Sequence, residues 1–112
     1  MDSILTTVKA GLGIMEEYEH FDEILVTNIN TVLAILTQMG VGDEEGFSIE
    51  DDGATWDDFI GDSPINHKLV QTYVIQKTRM IFDPPQGSLK DALDSSIKEL
   101  EWRINSQADY MD

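Results

Sequence analysis

The chain contains no cysteine. Disulfide frameworks, thiolate zinc sites, iron–sulfur clusters and cysteine nucleophiles are therefore excluded. It is also poor in bases: seven Lys and Arg stand against 22 Asp and Glu, a net charge of −15. Neutralising phosphates requires a basic face, so a simple nucleic-acid binder is excluded, as is a peripheral protein held on anionic lipid. No run approaches the roughly 18 apolar residues of a membrane-spanning helix. The opening Met1-Asp2-Ser3 lacks the cationic stretch of a secretory signal, which predicts a soluble protein made in the cytoplasm. Strand patterning is missing too: Phe47-Ser48-Ile49 alternates, but three residues carry no weight.

What is present is globular in composition, with 41% apolar and 26% charged residues in 112. That length predicts a single domain, 1–112, which buries about two-thirds of its unfolded surface. The charge is uneven. Residues 1–62 hold fifteen acids and one base, Lys9, a net of −14. Residues 63–112 hold seven acids and six bases, a net of −1. Residues 43–62 alone carry nine acids, no Lys or Arg, and Gly46 and Gly53. The stretch of about 41–62 reads as a long acidic loop rather than a core element.

The remaining periodicity is helical and predicts an all-α fold: a small bundle of about four main helices plus a short helical turn. The acidic loop falls between the second and third main helices. The first helix spans 3–12, with Ser3 as N-cap and Gly13 just past the end. The second spans 23–39, capped by Asp22; Leu25, Ile29, Val32, Leu36 and Met39 form one stripe, and Ile24, Val26, Leu33 and Ile35 widen it enough to pack on more than one side. Thr55 and Asp58 approach a capping box around the turn 55–60, which Trp56, Phe59 and Ile60 pin to a core. The third main helix starts at Ser63-Pro64 and runs to Phe82, stopped by Asp83-Pro84-Pro85. Leu69, Tyr73 and Met80 lie on one side of it, with Val70, Val74 and Ile81 beside them. The fourth covers 88–108 on a stripe of Leu89, Leu93, Ile97, Leu100 and Ile104, with Asp94–Lys98 and Glu99–Arg103 as outer pairs.

Candidate sites for chemistry are few. His20 stands among Glu16, Glu17, Glu19 and Asp22, donor types that suit a divalent cation, but it reads as a solvated histidine in a connection. His67 falls in the first turns of a helix, exposed or capping. Counted from Asp51 as an EF-hand, the loop has Trp56 where glycine is needed and Asp62 where glutamate closes the site, so that reading fails. Asp51-Asp52 and Asp57-Asp58 are paired acids of the kind acid–base chemistry uses. No Ser–His pair, phosphate-cradling glycine loop or metal cluster accompanies them. The expectation is a non-enzyme with no catalytic, cofactor or metal site.

Trp102 is the anomaly. It points about 140° away from Leu89, on the side of Ser95 and Lys98. Trp, Tyr, Met and Arg are enriched at interfaces, so Trp102, Arg103, Tyr110 and Met111 form a candidate contact surface. The alternative is that Trp102 covers the acidic loop of its own chain.

The run Val70-Gln71-Thr72-Tyr73-Val74-Ile75-Gln76-Lys77-Thr78-Arg79-Met80-Ile81-Phe82-Asp83-Pro84-Pro85, followed by Ile97-Lys98-Glu99-Leu100-Glu101-Trp102-Arg103-Ile104-Asn105, resembles the small head–tail connector (adaptor) proteins of tailed double-stranded DNA bacteriophages. Met39-Gly40-Val41-Gly42 and Trp56-Asp57-Asp58-Phe59-Ile60-Gly61 are similar to that family too. The resemblance implies a structural virion protein of the neck, at the head–tail interface. It further implies a ring homo-oligomer, a dodecamer as a rule, that joins the portal protein to the next neck or tail-completion protein. Genomic DNA passes through such a ring without specific binding. Two expectations follow. Arg79 and Arg103 belong to a subunit or portal interface, where the basic, aromatic last helix meets the acidic first half of a neighbour. Asp51, Asp52, Asp57 and Asp58 face the channel and repel the duplex. The competing readings are an acidic DNA mimic that inhibits a nucleic-acid enzyme, and a generic helical interaction module. A mimic needs carboxylates along a whole face, whereas here they cluster in one region.

Overall fold

The computed structural model describes residues 3–63 and 65–110, the side chains of Asp109 and Tyr110 apart. Five helices follow one another: α1 (Ile4–Gly11), α2 (Asp22–Gln38), α3 (Trp56–Ile60), α4 (His67–Phe82) and α5 (Gly87–Tyr110). Apart from one isolated bridge between Ser3 and Thr55, the described residues form no strand. The all-α bundle read from the periodicity is the fold observed.

Helix α4 is the central element, and α1, α2, α3 and α5 all pack against it. Tyr73, Val70 and Val74 of α4 are buried. They meet the α2 stripe of Leu25, Ile29, Val32, Leu33 and Leu36, each with no exposed surface. Ile97, Leu100 and Ile104 of α5 close the core from the other side. Close helix approach has a local requirement at Gly11, where an added Cβ would lie 2.6 Å from Cγ2 of Ile75.

Helix ends follow side-chain chemistry. The Ser3 hydroxyl accepts from the Thr6 amide (3.2 Å), and Gly13, at φ +79°, turns the chain away from α1. Thr55 and Asp58 complete a full capping box on α3, with Thr55 N–H donating to Asp58 Oδ2 (2.9 Å) and Asp58 N–H donating to Thr55 Oγ1 (3.2 Å).

Four expectations are corrected. Asp22 does not cap α2; it lies in the first turn and its carboxylate is held by Lys9 instead, at 2.8 Å. Helix α4 starts at His67 rather than Ser63, because Asn66 caps it by accepting from the Lys68 and Leu69 amides (2.9 and 3.3 Å). Pro64 lies outside the described residues. Leu89 is 61% exposed instead of buried. Its exposure follows from register: Tyr73 pairs with Glu101 across antiparallel α4 and α5. Glu101 is therefore further from the α5 start than Tyr73 is from the α4 end, so α5 overhangs by roughly five residues, or ~7 Å.

The fourth correction concerns the acidic loop, which contributes to the core. Val41, Ile49, Trp56, Phe59 and Ile60 are buried while the acids between them point outward. Asn30 of α2 grips the loop at Ile49, donating Nδ2 to its carbonyl (3.0 Å) and accepting its amide at Oδ1 (2.7 Å). Ile4 N–H donates to the Ala54 carbonyl (3.0 Å), and Trp56 Nε1 donates to Thr7 Oγ1 (3.1 Å). The loop is thereby strapped to both α1 and α2.

Candidate functional site

The four aspartates expected to act together are all exposed but fall into two groups. Asp51 and Asp52 line a cleft of about 380 Å³ with Glu50 and with Glu19, Asp22 and Glu23 from the entry to α2. Leu5 and Val26 are its apolar walls. Asp57 and Asp58 stand outside the cleft, in the first turn of α3, where carboxylates suit the positive end of the helix. Asp58 is occupied by its capping bonds, and Asp51 Oδ1 accepts from the Gly53 amide (2.8 Å). Of the six cleft carboxylates, only Asp22 has a cation within 4 Å among the described residues. The cleft is a concentration of uncompensated negative charge. Among the described residues no group of His, Asp and Glu has an arrangement that could hold a metal ion.

The one base of the acidic half is consumed internally. Lys9 is 2% exposed. Its ammonium donates to the carbonyls of Glu16 (2.9 Å) and Tyr18 (2.7 Å) and pairs with Asp22 (2.8 Å). Two carbonyl hydrogen bonds and one carboxylate at ion-pair distance offset the burial of this charge. Lys9 therefore ties α1, the 14–21 connection and α2 together, and offers nothing to a partner.

The expected interface residues occupy two surfaces. Arg79 is exposed on α4, beside a small groove of about 200 Å³ walled by Leu12, Ile14, Phe21, Phe82 and Asp83. Trp102 and Arg103 lie on the outer face of α5. Trp102 is 67% exposed, so it does not cover the acidic loop of its own chain. Arg103 pairs with Glu99 (3.7 Å) and Lys98 with Asp94 (3.1 Å), both as exposed one-turn pairs. The Tyr110 side chain and Met111 lie outside the described residues. On the inner side of α5, Tyr73 donates to Glu101 Oε2 (2.8 Å), with Lys77 3.7 Å from the same oxygen. Burial pushes the Tyr73 hydroxyl well above its ordinary range, and the bond to Glu101 and that carboxylate's charge push it further.

This arrangement is an acidic surface on a helical frame, with Trp102 exposed on a separate face. A family model described as phage connector protein matches residues 4–111. The chain belongs to the phage connector family. The matched range takes in all five helices. No curated protein and no solved structure matches the chain. A connector is a structural component, and this one has no helix among its described residues long and apolar enough to cross a membrane.

Three features of the connector structure had little signal in the sequence. Met15, Tyr18 and Ile24 are exposed apolar side chains (69%, 50% and 51%) inside the most acidic part of α2 and its approach. Met15 and Tyr18 carried no period to single them out, and Ile24, expected to widen the packed face of α2, is exposed instead because its direction leaves the Leu25–Ile29 stripe that meets α4. Lys9 had one clue: it follows Leu5 by four residues, which puts it on the buried face of α1. Asn30 had none, since its partner lies 19 residues away.

Proposed function

We propose that this connector forms a ring in the neck of a tailed phage, between the portal protein and the next neck or tail-completion protein, with genomic DNA passing through its centre. The family match over residues 4–111 carries this reading. The charge distribution supports the channel. A duplex sliding through a ring should meet no array of cations, because each phosphate contact adds affinity and slows passage. Asp51, Asp52 and Asp57 are exposed carboxylates with no cation within 4 Å among the described residues. Repeated around a ring, they keep DNA off the wall over about a Debye length, roughly 10 Å. Asp58 adds its charge there while its oxygen caps α3.

Mass spectrometry of purified particles tests the role. A connector is found at about the copy number of the portal. A DNA mimic is absent from particles and occurs as a free monomer or dimer bound to an enzyme.

A further inference from the structure

The loop segment between Ile49 and Ala54 holds the one Asp-Gly pair of the chain, Asp52-Gly53. An aspartyl bond is chemically labile where the next residue is small and its amide nitrogen can approach the side-chain carboxyl carbon. The other aspartates described do not meet both conditions. Those in α2, α3 and α5 are followed by backbone fixed in helical conformation. Asp43 and Asp51 precede the larger Glu44 and Asp52. Ser63, after Asp62, donates its amide to the Ile60 carbonyl (3.3 Å), and Pro84, after Asp83, has no N–H to give up. Asp52 and Gly53 are exposed and lie outside every helix. Glycine adds its backbone freedom and the absence of a side chain. The Gly53 amide is already engaged by a base, since Asp51 Oδ1 accepts it at 2.8 Å. A Cβ at position 53 would stand 3.0 Å from that same oxygen, so glycine is what lets the carboxylate come in so closely.

We propose that Asp52 is a site of spontaneous succinimide formation and isoaspartate conversion, with Asp51 as the group that receives the Gly53 proton. The Gly53 nitrogen forms a bond to Cγ of Asp52, whose side chain reacts as the carboxylic acid. The N–H proton passes to Asp51 Oδ1. Asp51 then returns that proton to a hydroxyl on Cγ, the C–O bond breaks, and one water leaves. The product is a five-membered imide, and Asp51 is a carboxylate again. Water reopens the ring at either carbonyl. Attack at the side-chain carbonyl restores aspartate; attack at the main-chain carbonyl leaves isoaspartate. No oxidant, reductant or enzyme is needed. The consequence is local. Isoaspartate adds one carbon to the main chain between two anchors, the Asn30 grip on Ile49 and the bond from Ile4 to the Ala54 carbonyl. It also moves one of the carboxylates that line the acidic cleft, with no change in net charge.

The full-length protein tests this as it stands. Wild type and D51N are aged in neutral buffer made with heavy-oxygen water, once folded and once in urea, after circular dichroism has confirmed that D51N is folded. Isoaspartate is then located by electron-transfer fragmentation of the digested chain. The Asn side chain keeps an oxygen for the Gly53 amide but is a far weaker base. The proposal predicts severalfold more isoaspartate at Asp52 than at Asp62 or Asp94, with heavy oxygen incorporated there and a transient species lighter by one water. It predicts a severalfold slower conversion in folded D51N, and equal rates for the two proteins in urea, where the contact between Asp51 and Gly53 is gone. Isoaspartate at Asp52 no higher than at Asp62 and Asp94 overturns the site. An undiminished rate in folded D51N, or the same slowing in urea as in the folded protein, overturns the part assigned to Asp51.

Discussion

Lys9 shows how a single residue sets local architecture. Its ammonium is sealed under the 14–21 connection; two of its partners belong to that connection and the third to α2. Lys9→Met keeps the stem volume but strips the Glu16 and Tyr18 carbonyls of their donor and Asp22 of its cation. Removing one partner of such a pair leaves buried groups unsatisfied, so the variant should lose about 3 kcal/mol in urea unfolding. Thr78 is the opposite case. It is fully buried and its hydroxyl has no partner among the described residues. Thr78→Val removes a desolvated polar atom at nearly constant shape and should stabilise by about 1 kcal/mol in the same measurement. Tyr73 links stability to pH. Its hydroxyl is held protonated by burial first, and then by the bond to Glu101 and that carboxylate's charge. The folded state thus keeps a proton that the unfolded chain releases near pH 10. The stabilisation is complete below that pH and is lost progressively above it. Tyr73→Phe should cost about 2 kcal/mol at neutral pH and flatten the alkaline decline; an unchanged decline would show that another group causes it.

At the scale of elements, the bundle depends on how closely α1 approaches α4. In isolation, Gly11→Ala would favour helix α1 by about 1 kcal/mol. Here the new methyl meets Ile75 Cγ2 at 2.6 Å, a β-branched atom that cannot swing aside. Overpacking outweighs propensity, and the variant should be destabilised by roughly 1–2 kcal/mol net. On α3, Asp58→Ala should cost about 1 kcal/mol through the capping box, whereas Asp57→Asn removes only a charge near the helix start and should cost no more than about 0.3 kcal/mol. What could be read from residue order was what is local. The α2 stripe, the Ser3 cap, the Thr55–Asp58 box and the proline stop after α4 all depend on neighbours a few positions away. The elements that escaped depend on partners far along the chain. Asn66 rather than Ser63 starts α4, where the Asn66 amide also donates to Gln107 (2.9 Å). Leu89 leaves the core because of a register set by Tyr73 and Glu101. The loop enters the core because Asn30 and α1 hold it there. The candidate site was legible in the same degree: its charge was plain from composition, but its division into a cleft and a separate α3 turn was not.

At the scale of the molecule, a slab of 40 × 35 × 20 Å carries −14 in its first 62 residues and −1 in the rest. This asymmetry concentrates the acids on α1–α3 and their connections and leaves α4 and α5 nearly neutral. Neutralising the exposed acids as Asp51→Asn, Asp52→Asn and Asp57→Asn together should leave the fold intact and slow DNA exit from particles, measured as the rate of genome release triggered in vitro. The most direct measurement is a cryo-electron microscopy reconstruction of the neck of the phage that encodes this chain. The account predicts a ring of this five-helix fold directly below the portal, with Asp51, Asp52, Asp57 and Asp58 facing the central channel. A neck without this chain, or a ring that turns those aspartates to its outer wall, would contradict it.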